Sequence, residues 1–423
     1  MAGLLDDLNA LLRIPSVSAG RANPEAIRQA AEWVRERVLR SGGEAELIGE
    51  RNPIVYGELK ANRADAPDVI VYGHYDVQDI GPPREWLSEP FEPTVRDGRL
   101  YARGSSDDKG NILPLVHAAC EMFAAGQLPV NVRLLIEGEE EVGSKQVMEW
   151  IAADKRGADA AIVFDSAMAS EDLPAITTAC RGLVGITVTV RVAERDMHSG
   201  LYGGVAPNAV HVLLGMLDAV VAAPGQPVRE ELRAGVSPVS DSERASWSDV
   251  PPDPEFHEKT GAQPDLEVNG VIAGATDELR TIIPAAAKAN LSLRTAPGQR
   301  SAELAPVLER LLREAAPEGV DVDIRMEAAE PAEFDPESAP LVLARQAFER
   351  ATGRPPALVR SGGTIPILAA FSERGIQTIV SGFALPEDAI HAPNESYRLE
   401  SVELNEKTSR ALLEELGKLT SQQ

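Results

Sequence analysis

The fold is organised around the stretch VIVYGHYDV, residues 69–77. Its first four residues are apolar and mostly β-branched or aromatic, which predicts a buried strand that ends at Gly73. In an open α/β sheet, ligands bind beyond the carboxyl ends of the strands, so His74 could reach a metal there. Asp76 could then fix the tautomer of that imidazole. An isolated His-x-Asp pair is more often a loop histidine beside a solvated acid than a metal site. The residues that follow later strands distinguish between these two alternatives.

Three later strands are also followed by side chains that can bind a metal. An apolar strand at 130–136 runs straight into the sequence EGEEE at 137–141. Four acids in five positions repel one another unless cations hold them, which weakens the alternative of a solvated acidic loop. A strand at 160–164 ends at Asp165, and a strand near the C-terminus is followed by His391.

A hairpin supplies a further carboxylate. The segment 92–102 predicts two short strands joined across an Asp-Gly pair, which is a favoured two-residue turn. The hairpin is followed by the sequence RGSSDDKG, residues 103–110, which leads into an apolar helix. Asp107 and Asp108 therefore lie where helix backbone amides favour anionic groups. Acids at a helix start are common, and this pair taken alone would be structural.

The composition limits the class of protein. The chain has 423 residues, with 66 acids against 41 Lys and Arg, and its net charge is −25. This acidity argues against nucleic acid and against anionic membranes as partners. Two cysteines cannot form a disulfide framework, and no segment has the pattern of a signal peptide or a membrane span. We therefore predict a soluble cytoplasmic protein with two domains.

The order of the predicted elements changes between residues 182 and 332. There a strand, a helix, two strands, a helix and a strand follow one another, which is the ferredoxin-like pattern of a compact α+β domain. We predict that this domain, 182–332, is inserted into a mixed α/β domain formed by residues 1–181 and 333–423. A Pro- and acid-rich segment at about 225–264 indicates a long insertion within it.

The strand-end residues provide enough ligands for two metal ions. Two imidazoles and three carboxylates are too many for one tetrahedral zinc, but they suit two divalent ions about 3.5–4 Å apart that share a carboxylate. Two ions bring four positive charges against three negative ones, so a bridging hydroxide would complete the balance. Glu140 is then spare and next to a ligand, which makes it the natural general base. The candidate ligands are His74, Asp107, Glu141, Asp165 and His391.

Taken together, these motifs resemble a two-zinc metallopeptidase family. The family includes carnosinase-like dipeptidases, acetylornithine deacetylase, succinyl-diaminopimelate desuccinylase and glutamate carboxypeptidase, and the resemblance is closest to the dipeptidase branch. It runs along nearly the whole chain and implies a mixed-sheet catalytic domain with an inserted ferredoxin-like lid and dimerisation domain. The matching stretches occur in the same order and are IPSVS (14–18), GHYDV (73–77), Trp86 and Pro90-Phe91 before RGSSDDKG (103–110), EEVGS (140–144), Asp165 and His391.

The resemblance implies how the ligands divide between the two ions. Asp107 would bridge them, His74 and Asp165 would complete one site, and Glu141 and His391 would complete the other. The ions implied are two divalent cations per subunit, zinc first, while manganese and cobalt also fit such nitrogen and oxygen ligands.

The resemblance also implies roles for residues that support these ligands. Asp76 would orient His74, Glu140 would be the general base, and the Asp107–Asp108 peptide bond would be cis. The run of three glutamates leaves the register ambiguous until the Gly-Ser that follows is aligned, which assigns the base to Glu140.

The remaining assignments concern the substrate. The DMHSGLYGG loop resembles the family loop whose histidine, here His198, enters the partner subunit's active site and hydrogen-bonds the tetrahedral intermediate. Arg294 resembles the lid arginine that binds the substrate's terminal carboxylate, and a solvated strand-end arginine is an equal alternative. The sequence SGGTIP, 361–366, resembles the loop that holds this carboxylate through backbone amides, with Gly363 and Thr364 as the contacts.

The function implied is hydrolysis of the peptide bond of dipeptides or short peptides by a hydroxide on two metal ions, in a homodimer formed through the inserted domain. An aspartate at the position of Asp165 favours peptidases within the family. An N-acyl-amino-acid deacylase or desuccinylase with the same metals is the main alternative. A non-catalytic binding module is a third, and the intact set of ligands with Glu140 argues against it.

Overall fold

A computed structural model describes residues 2–223, 225–274 and 278–420. In this part of the chain there are twelve α-helices and eighteen β-strands, besides short 3-10 turns. The helices are α1 (Ala2–Leu12), α2 (Pro24–Arg40), α3 (Lys109–Ala124), α4 (Lys145–Ala153), α5 (Ser199–Tyr202), α6 (Ala209–Asp218), α7 (Asp241–Ser246), α8 (Pro254–Gly261), α9 (Ser301–Glu314), α10 (Ala339–Thr352), α11 (Pro366–Glu373) and α12 (Leu399–Leu416).

The strands, in chain order, are β1 (Glu44–Ile48), β2 (Ile54–Leu59), β3 (Asp68–His74), β4 (Thr94–Arg96), β5 (Arg99–Tyr101), β6 (Asn131–Glu137), β7 (Ala160–Phe164), β8 (Ala175–Cys180), β9 (Gly182–Arg191), β10 (Met197–His198), β11 (Asp265–Ala273), β12 (Ile282–Ile283), β13 (Ala286–Thr295), β14 (Asp321–Ala329), β15 (Ala332–Glu333), β16 (Ala357–Ser361), β17 (Thr378–Ser381) and β18 (Ser396–Arg398). They form one large mixed sheet, one smaller antiparallel sheet, and two minor ribbons.

The large sheet has nine strands in the order β1-β2-β6-β3-β7-β17-β8-β15, with β16 paired to β8. Its four neighbouring strands β6, β3, β7 and β17 run parallel. Helices cover both faces, so a strand of this group is apolar at successive positions rather than at alternate ones. In β3, for example, Val69 and Val71 join the core beneath α1, α2, α3, α10 and α12, whereas Ile70 and Tyr72 join the core beneath α4 and α11.

This topology brings the predicted strand ends together. Because parallel strands have their carboxyl ends at one edge of the sheet, the residues that follow β3, β6, β7 and β17 meet there. The strand predicted to stop at Gly73 continues for one residue, to His74. The predicted hairpin is also confirmed, with β4 and β5 joined at Asp97 and Gly98, which have φ values of 48° and 74° as a two-residue hairpin turn requires.

The second sheet is antiparallel, with the order β11-β13-β9-β14. Helices α6 and α9 pack on one face, and β9 alternates buried and half-buried residues as a one-sided sheet should. The elements β9, α6, β11, β13, α9 and β14 occur in this order along the chain, with shorter elements between some of them, which confirms the predicted βαββαβ pattern. The role of this unit as a lid, and the boundaries at 181 and 332, stay predictions.

The segment predicted as a long insertion, about 225–264, contacts both sheets. Its first part adds Val228 and Leu232 to the core of the four-stranded sheet. Helices α7 and α8 instead pack against β16 of the large sheet. The buried indole of Trp247, just after α7, donates from Nε1 to the Leu358 carbonyl at 2.8 Å. The segment therefore ties the inserted sequence to the large sheet.

A buried ion pair adds to the contact between this segment and the large sheet. The Glu243 carboxylate accepts hydrogen bonds from Arg360 Nε at 2.8 Å and from the Thr178 hydroxyl at 2.6 Å, and both charged side chains are 2% exposed. Burial would raise the pKa of Glu243, but the bonds from Arg360 and Thr178 hold this pKa at about 2. Removing one partner of such a pair would leave an uncompensated buried charge.

Among the described residues, no helix is both long and apolar enough to cross a membrane.

Candidate metal centre

Two groups of possible metal ligands lie at the carboxyl edge of the parallel strands, and they share Asp107. Within each group, the ligand atoms lie within 4.8 Å of one another. The structure thus brings together all five residues singled out in the sequence, while their binding of metal stays a prediction. One group is His74, Asp107 and Asp165, and the other is Asp107, Glu141 and His391.

The Asp107 carboxylate lies between the two groups. Its Oδ1 is 3.1 Å from His74 Nε2, and its Oδ2 is 2.9 Å from His391 Nε2. Asp165 Oδ1 lies 3.9 Å from the same His74 nitrogen, and Glu141 Oε2 lies 3.2 Å from His391 Nε2. Each oxygen of Asp107 therefore faces a different group, which is the arrangement that a carboxylate bridging two cations needs.

The donor set fits divalent cations. Glu141 Oε1 is buried and has no hydrogen-bond partner in the described part of the chain, while Oε2 accepts from Gln78 Nε2 at 3.0 Å. A buried acceptor without a partner is costly, and a cation would satisfy it. Burial also raises the pKa of the Asp165 carboxyl, and the nearby Asp108 carboxyl adds to this effect. Imidazole nitrogens with carboxylate oxygens suit zinc, manganese and cobalt.

The turn into α3 positions the shared carboxylate. The Asp107–Asp108 peptide bond is cis, as the family resemblance implies. Asp108 Oδ2 accepts the His74 backbone amide at 3.1 Å, so the end of β3 and this turn are joined directly. A Cβ at Gly73 would lie 2.7 Å from the same Asp108 oxygen, so only glycine leaves room for this contact.

Glu395 organises the same turn, although none of the sequence motifs assigned it a role. Its fully buried carboxylate accepts the backbone amides of Gly104, Ser106 and Asp107 at 3.0, 2.9 and 3.0 Å. It also accepts the Arg103 guanidinium at 2.6 Å, in a pair that is almost completely buried. A single carboxylate therefore ties the Asp107 turn to the loop that carries His391. No local pattern distinguishes this glutamate from the many other acids of the chain.

Asp76 supports more of the centre than was predicted. The backbone oxygen of Asp76 lies 3.0 Å from His74 Nδ1, and its carboxylate Oδ1 lies 3.4 Å from the same nitrogen. The carboxylate mainly accepts the amides of Glu140 and Glu141, each at 3.3 Å, and the Ser18 hydroxyl at 2.6 Å. Asp76 therefore contacts the His74 imidazole and also holds the turn that follows β6.

Glu140 lies in that turn, beside both groups and outside each of them. Burial raises the pKa of Glu140 to about 7, and the carboxylates of Glu141 and Asp107 act in the same direction. Cations held by these neighbours would lower the pKa again. A carboxyl group that exchanges its proton near neutral pH is suited to general acid–base catalysis.

The residues predicted to bind a substrate carboxylate form a second cluster. Arg294, near the end of β13, donates from Nη1 to the Thr364 hydroxyl at 3.1 Å. This contact joins the four-stranded sheet to the loop after β16. The Gly363 amide donates to Ser361 Oγ at 3.1 Å, and the Thr364 hydroxyl donates to the Arg181 carbonyl at 2.6 Å. The structure therefore brings Arg294, Gly363 and Thr364 together.

His198 does not join either cluster. Its side chain is exposed, and Nδ1 accepts the Gly200 amide at 3.0 Å. In the residues that the structure describes, no hydrogen bond or ion pair connects His198 to the five candidate ligands.

Comparison with known proteins identifies the class. Residues 70–415 match the family described as Peptidase family M20/M25/M40, and the chain belongs to this family. It is 28% identical over 404 residues to the Beta-Ala-His dipeptidase of Rattus norvegicus, covering 88% of this chain and 81% of the relative. It is 26% identical over 426 residues to the Cysteinylglycine-S-conjugate dipeptidase of Corynebacterium striatum, covering 93% and 91%.

A solved structure supports the same fold. The M20 family metallo-carboxypeptidase Sso-CP2 from Sulfolobus solfataricus superposes with a TM-score of 0.86 at 25% sequence identity. The match covers 99% of this chain and 100% of that one.

Proposed function

We propose that this protein is a metal-dependent dipeptidase that cleaves the peptide bond of dipeptides with a free C-terminal carboxylate. The observation that carries the proposal is the pair of ligand groups that share Asp107, with Glu140 beside them. The two sequence relatives described above are both named as dipeptidases, which supports the substrate class.

The roles proposed for the centre follow from its geometry. His74, Asp107 and Asp165 would hold one divalent ion, and Asp107, Glu141 and His391 the other, with zinc as the proposed metal. Two such ions, when bound, would acidify a water molecule and polarise the carbonyl of the scissile bond. Glu140 would accept the water proton on its carboxylate and deliver it to the nitrogen of the leaving amine.

The second cluster would bind the other end of the substrate. Arg294 is a planar donor suited to a carboxylate, and its hydrogen bond to Thr364 fixes one of its nitrogens. The substrate would thus be held between the metals and the cluster of Arg294, Gly363 and Thr364. Holding both ends orients the scissile bond, and closure of the four-stranded sheet over it would exclude water.

Hydrolysis of a matched substrate panel tests this proposal. The metal-reconstituted protein would be given Ala-, Gly- and β-Ala-containing dipeptides, including β-Ala-His and Cys-Gly. N-acetyl-ornithine, N-succinyl-diaminopimelate and an N-acyl-glutamate would be tested beside them, each with and without chelator. We expect chelator-sensitive release from the dipeptides, with kcat/KM at least about tenfold above that for the acylated amino acids.

Other outcomes of the panel would redirect the assignment. A preference for the acylated amino acids would make the protein a deacylase with the same metals. No turnover of any compound, with two metals bound per chain, would contradict the dipeptidase proposal and favour a binding module.

We also propose a homodimer formed through the four-stranded sheet. Its strand β11 is an edge strand, and an exposed apolar edge favours pairing with another chain. Exposed large apolar side chains occur on β11, on α5 and α6 and in the segments beside them, and are Leu201, Tyr202, Val205, Leu214, Val271, Ile272 and Leu279. His198 ends β10, just before α5, and among the described residues no hydrogen bond or ion pair joins it to the metal groups of its own chain, so we propose that it serves a second copy.

Mixing two inactive variants would test a contribution of His198 across the dimer. His198→Ala keeps Glu140, and Glu140→Gln keeps His198, so only a mixed dimer contains one complete site. Random exchange makes half of the dimers mixed, and we expect activity to return to about a quarter of the wild-type value. No recovery after confirmed subunit exchange, or a monomer by light scattering, would contradict the proposal.

We propose a cytoplasmic location because the two cysteines are not joined in a disulfide. Cys120 and Cys180 are both unpaired and buried. Free thiols of this kind are typical of proteins from a reducing compartment.

A further inference from the structure

Arg181 stands between the two sheets. It is the one residue that separates the end of β8, in the nine-stranded sheet, from the start of β9, in the four-stranded sheet. It is half-buried, and neither the metal groups nor the proposed catalytic steps use it.

Its contacts converge on the loop that follows β16. The Arg181 amide donates to the Ser361 carbonyl at 3.1 Å, and its Nε donates to the Gly362 carbonyl at 3.3 Å. The Arg181 carbonyl accepts the Thr364 hydroxyl at 2.6 Å. A Cβ at Gly362 would lie 2.9 Å from the Thr260 carbonyl and 3.1 Å from Arg181 Nη2, so the loop is packed as closely as glycine permits. Arg181 therefore contacts the loop at Ser361, Gly362 and Thr364, twice through its backbone and once through its guanidinium. The guanidinium also donates from Nη1 to the Gln263 carbonyl at 3.4 Å.

The Thr364 hydroxyl has a single proton and can therefore donate only one hydrogen bond. Because that proton goes to the Arg181 carbonyl, the hydroxyl offers only lone pairs to other groups. It accepts from Arg294 Nη1 at 3.1 Å. In this arrangement Thr364 orients the Arg294 guanidinium, and a direct bond from its hydroxyl to a substrate carboxylate would require the proton to turn away from the Arg181 carbonyl.

The charge of the cluster is not compensated by an ion pair. In the described part of the chain, neither Arg181 nor Arg294 forms a salt bridge, although the protein is strongly acidic. Asp265 is the cross-strand neighbour of Arg294 in the pairing of β11 with β13. Two guanidinium groups and this carboxylate leave one positive charge, which one substrate carboxylate would neutralise. Burial, together with the charge of Arg294, lowers the pKa of Arg181, and the Asp265 carboxylate opposes this effect only in part.

We propose that Arg181 is a positioning residue for recognition of the substrate's C-terminal carboxylate, because its guanidinium binds the Gly362 carbonyl of the loop and adds a second positive charge beside Arg294. This inference rests on the proposed dipeptidase function. It makes the protein selective for dipeptides with an unmodified C-terminus over dipeptides whose C-terminus is amidated.

The test compares Arg181→Gln with Arg181→Lys on a dipeptide and on the corresponding dipeptide amide. Gln removes the charge, whereas Lys retains a cation that can reach the Gly362 carbonyl. For Arg181→Gln we expect KM for the dipeptide to rise about tenfold or more, with kcat changed by less than about threefold. The preference for the free acid over the amide should fall by the same factor. Arg181→Lys should keep KM within about threefold of wild type.

A merely structural role predicts a different pattern. It would lower kcat/KM equally for the acid and the amide, and it would impair the Lys and Gln variants alike. Either result would overturn the inference, as would an unchanged KM in Arg181→Gln. Metal content and the thermal midpoint of each variant identify a loss of folding. The wild-type protein provides a test that needs no variant, since its KM for the dipeptide should rise with salt more steeply than its KM for the amide.

Binding measurements separate this inference from the dipeptidase proposal. Calorimetry of free leucine and of leucinamide with the metal-loaded protein needs no turnover. Tighter binding of leucine that is lost in Arg181→Gln would support the carboxylate site even if the substrate panel shows no hydrolysis. Equal binding of the two compounds by the wild-type protein would overturn the inference even if dipeptides are hydrolysed.

Discussion

Replacing Glu140 with Gln is expected to lower kcat for dipeptides by about 10³-fold, because an amide cannot accept and return the proton of the attacking water. Metal content should stay at two ions per chain, since Glu140 belongs to neither ligand group and Gln has the same shape. Steady-state kinetics and elemental analysis on the same preparation would measure both quantities.

Glu139 provides a matched control within the same acidic run. Its Oε1 accepts the Gln146 amide at 2.6 Å, so this carboxylate is engaged by α4 rather than by the metal groups. Glu139→Gln should therefore retain most of the activity. If Glu140→Gln instead lost a metal ion while Glu141→Gln kept both, the two glutamates would have to exchange roles.

Replacing Asp107 with Asn is expected to remove both ions together. The two oxygens of Asp107 face different ligand groups, so loss of its negative charge weakens both sites at once. We expect fewer than about one ion per chain and a loss of activity of about 10³-fold or more. Elemental analysis after dialysis against a buffer of fixed free zinc would measure the first effect.

Asp165→Asn is the comparison for this change. Asp165 belongs to one ligand group only, so this variant should keep the ion held by Glu141 and His391. Retention of two ions by Asp107→Asn would show that Asp107 does not bridge the sites.

The sequence predicted those features of the structure that depend on neighbouring residues in the chain. The apolar run before His74 predicts a strand buried on both faces, and the parallel neighbours of β3 confirm it. The Asp97-Gly98 turn and the βαββαβ order were likewise predictable, because turn chemistry and hydrophobic periodicity depend on a few adjacent residues. The grouping of His74, Glu141, Asp165 and His391 followed from one topological rule about strand ends, whereas Asp107 comes from the turn before α3.

The features that were missed depend on contacts between distant parts of the chain. Glu395 binds a turn almost 290 positions earlier, and no periodicity marks that partner. The packing of α7 and α8 against β16 depends on a Glu243–Arg360 pair whose members lie 117 positions apart. The hydrogen bond from the Thr364 hydroxyl to the Arg181 carbonyl likewise joins residues 183 positions apart. Only the folded chain shows which of these polar groups are already engaged.

The position of β17 has a consequence for the order of events during synthesis. This strand starts at Thr378 but lies between β7 and β8, which are complete by residue 180. Within the described sheet, every partner of β8 comes from residue 332 onward. A nascent chain that has left the ribosome as far as the four-stranded sheet therefore carries open strand edges and lacks the loop of His391. The second group of candidate ligands is complete only when the last segment inserts, so we expect an ion to bind at that group after completion of the chain rather than during its emergence.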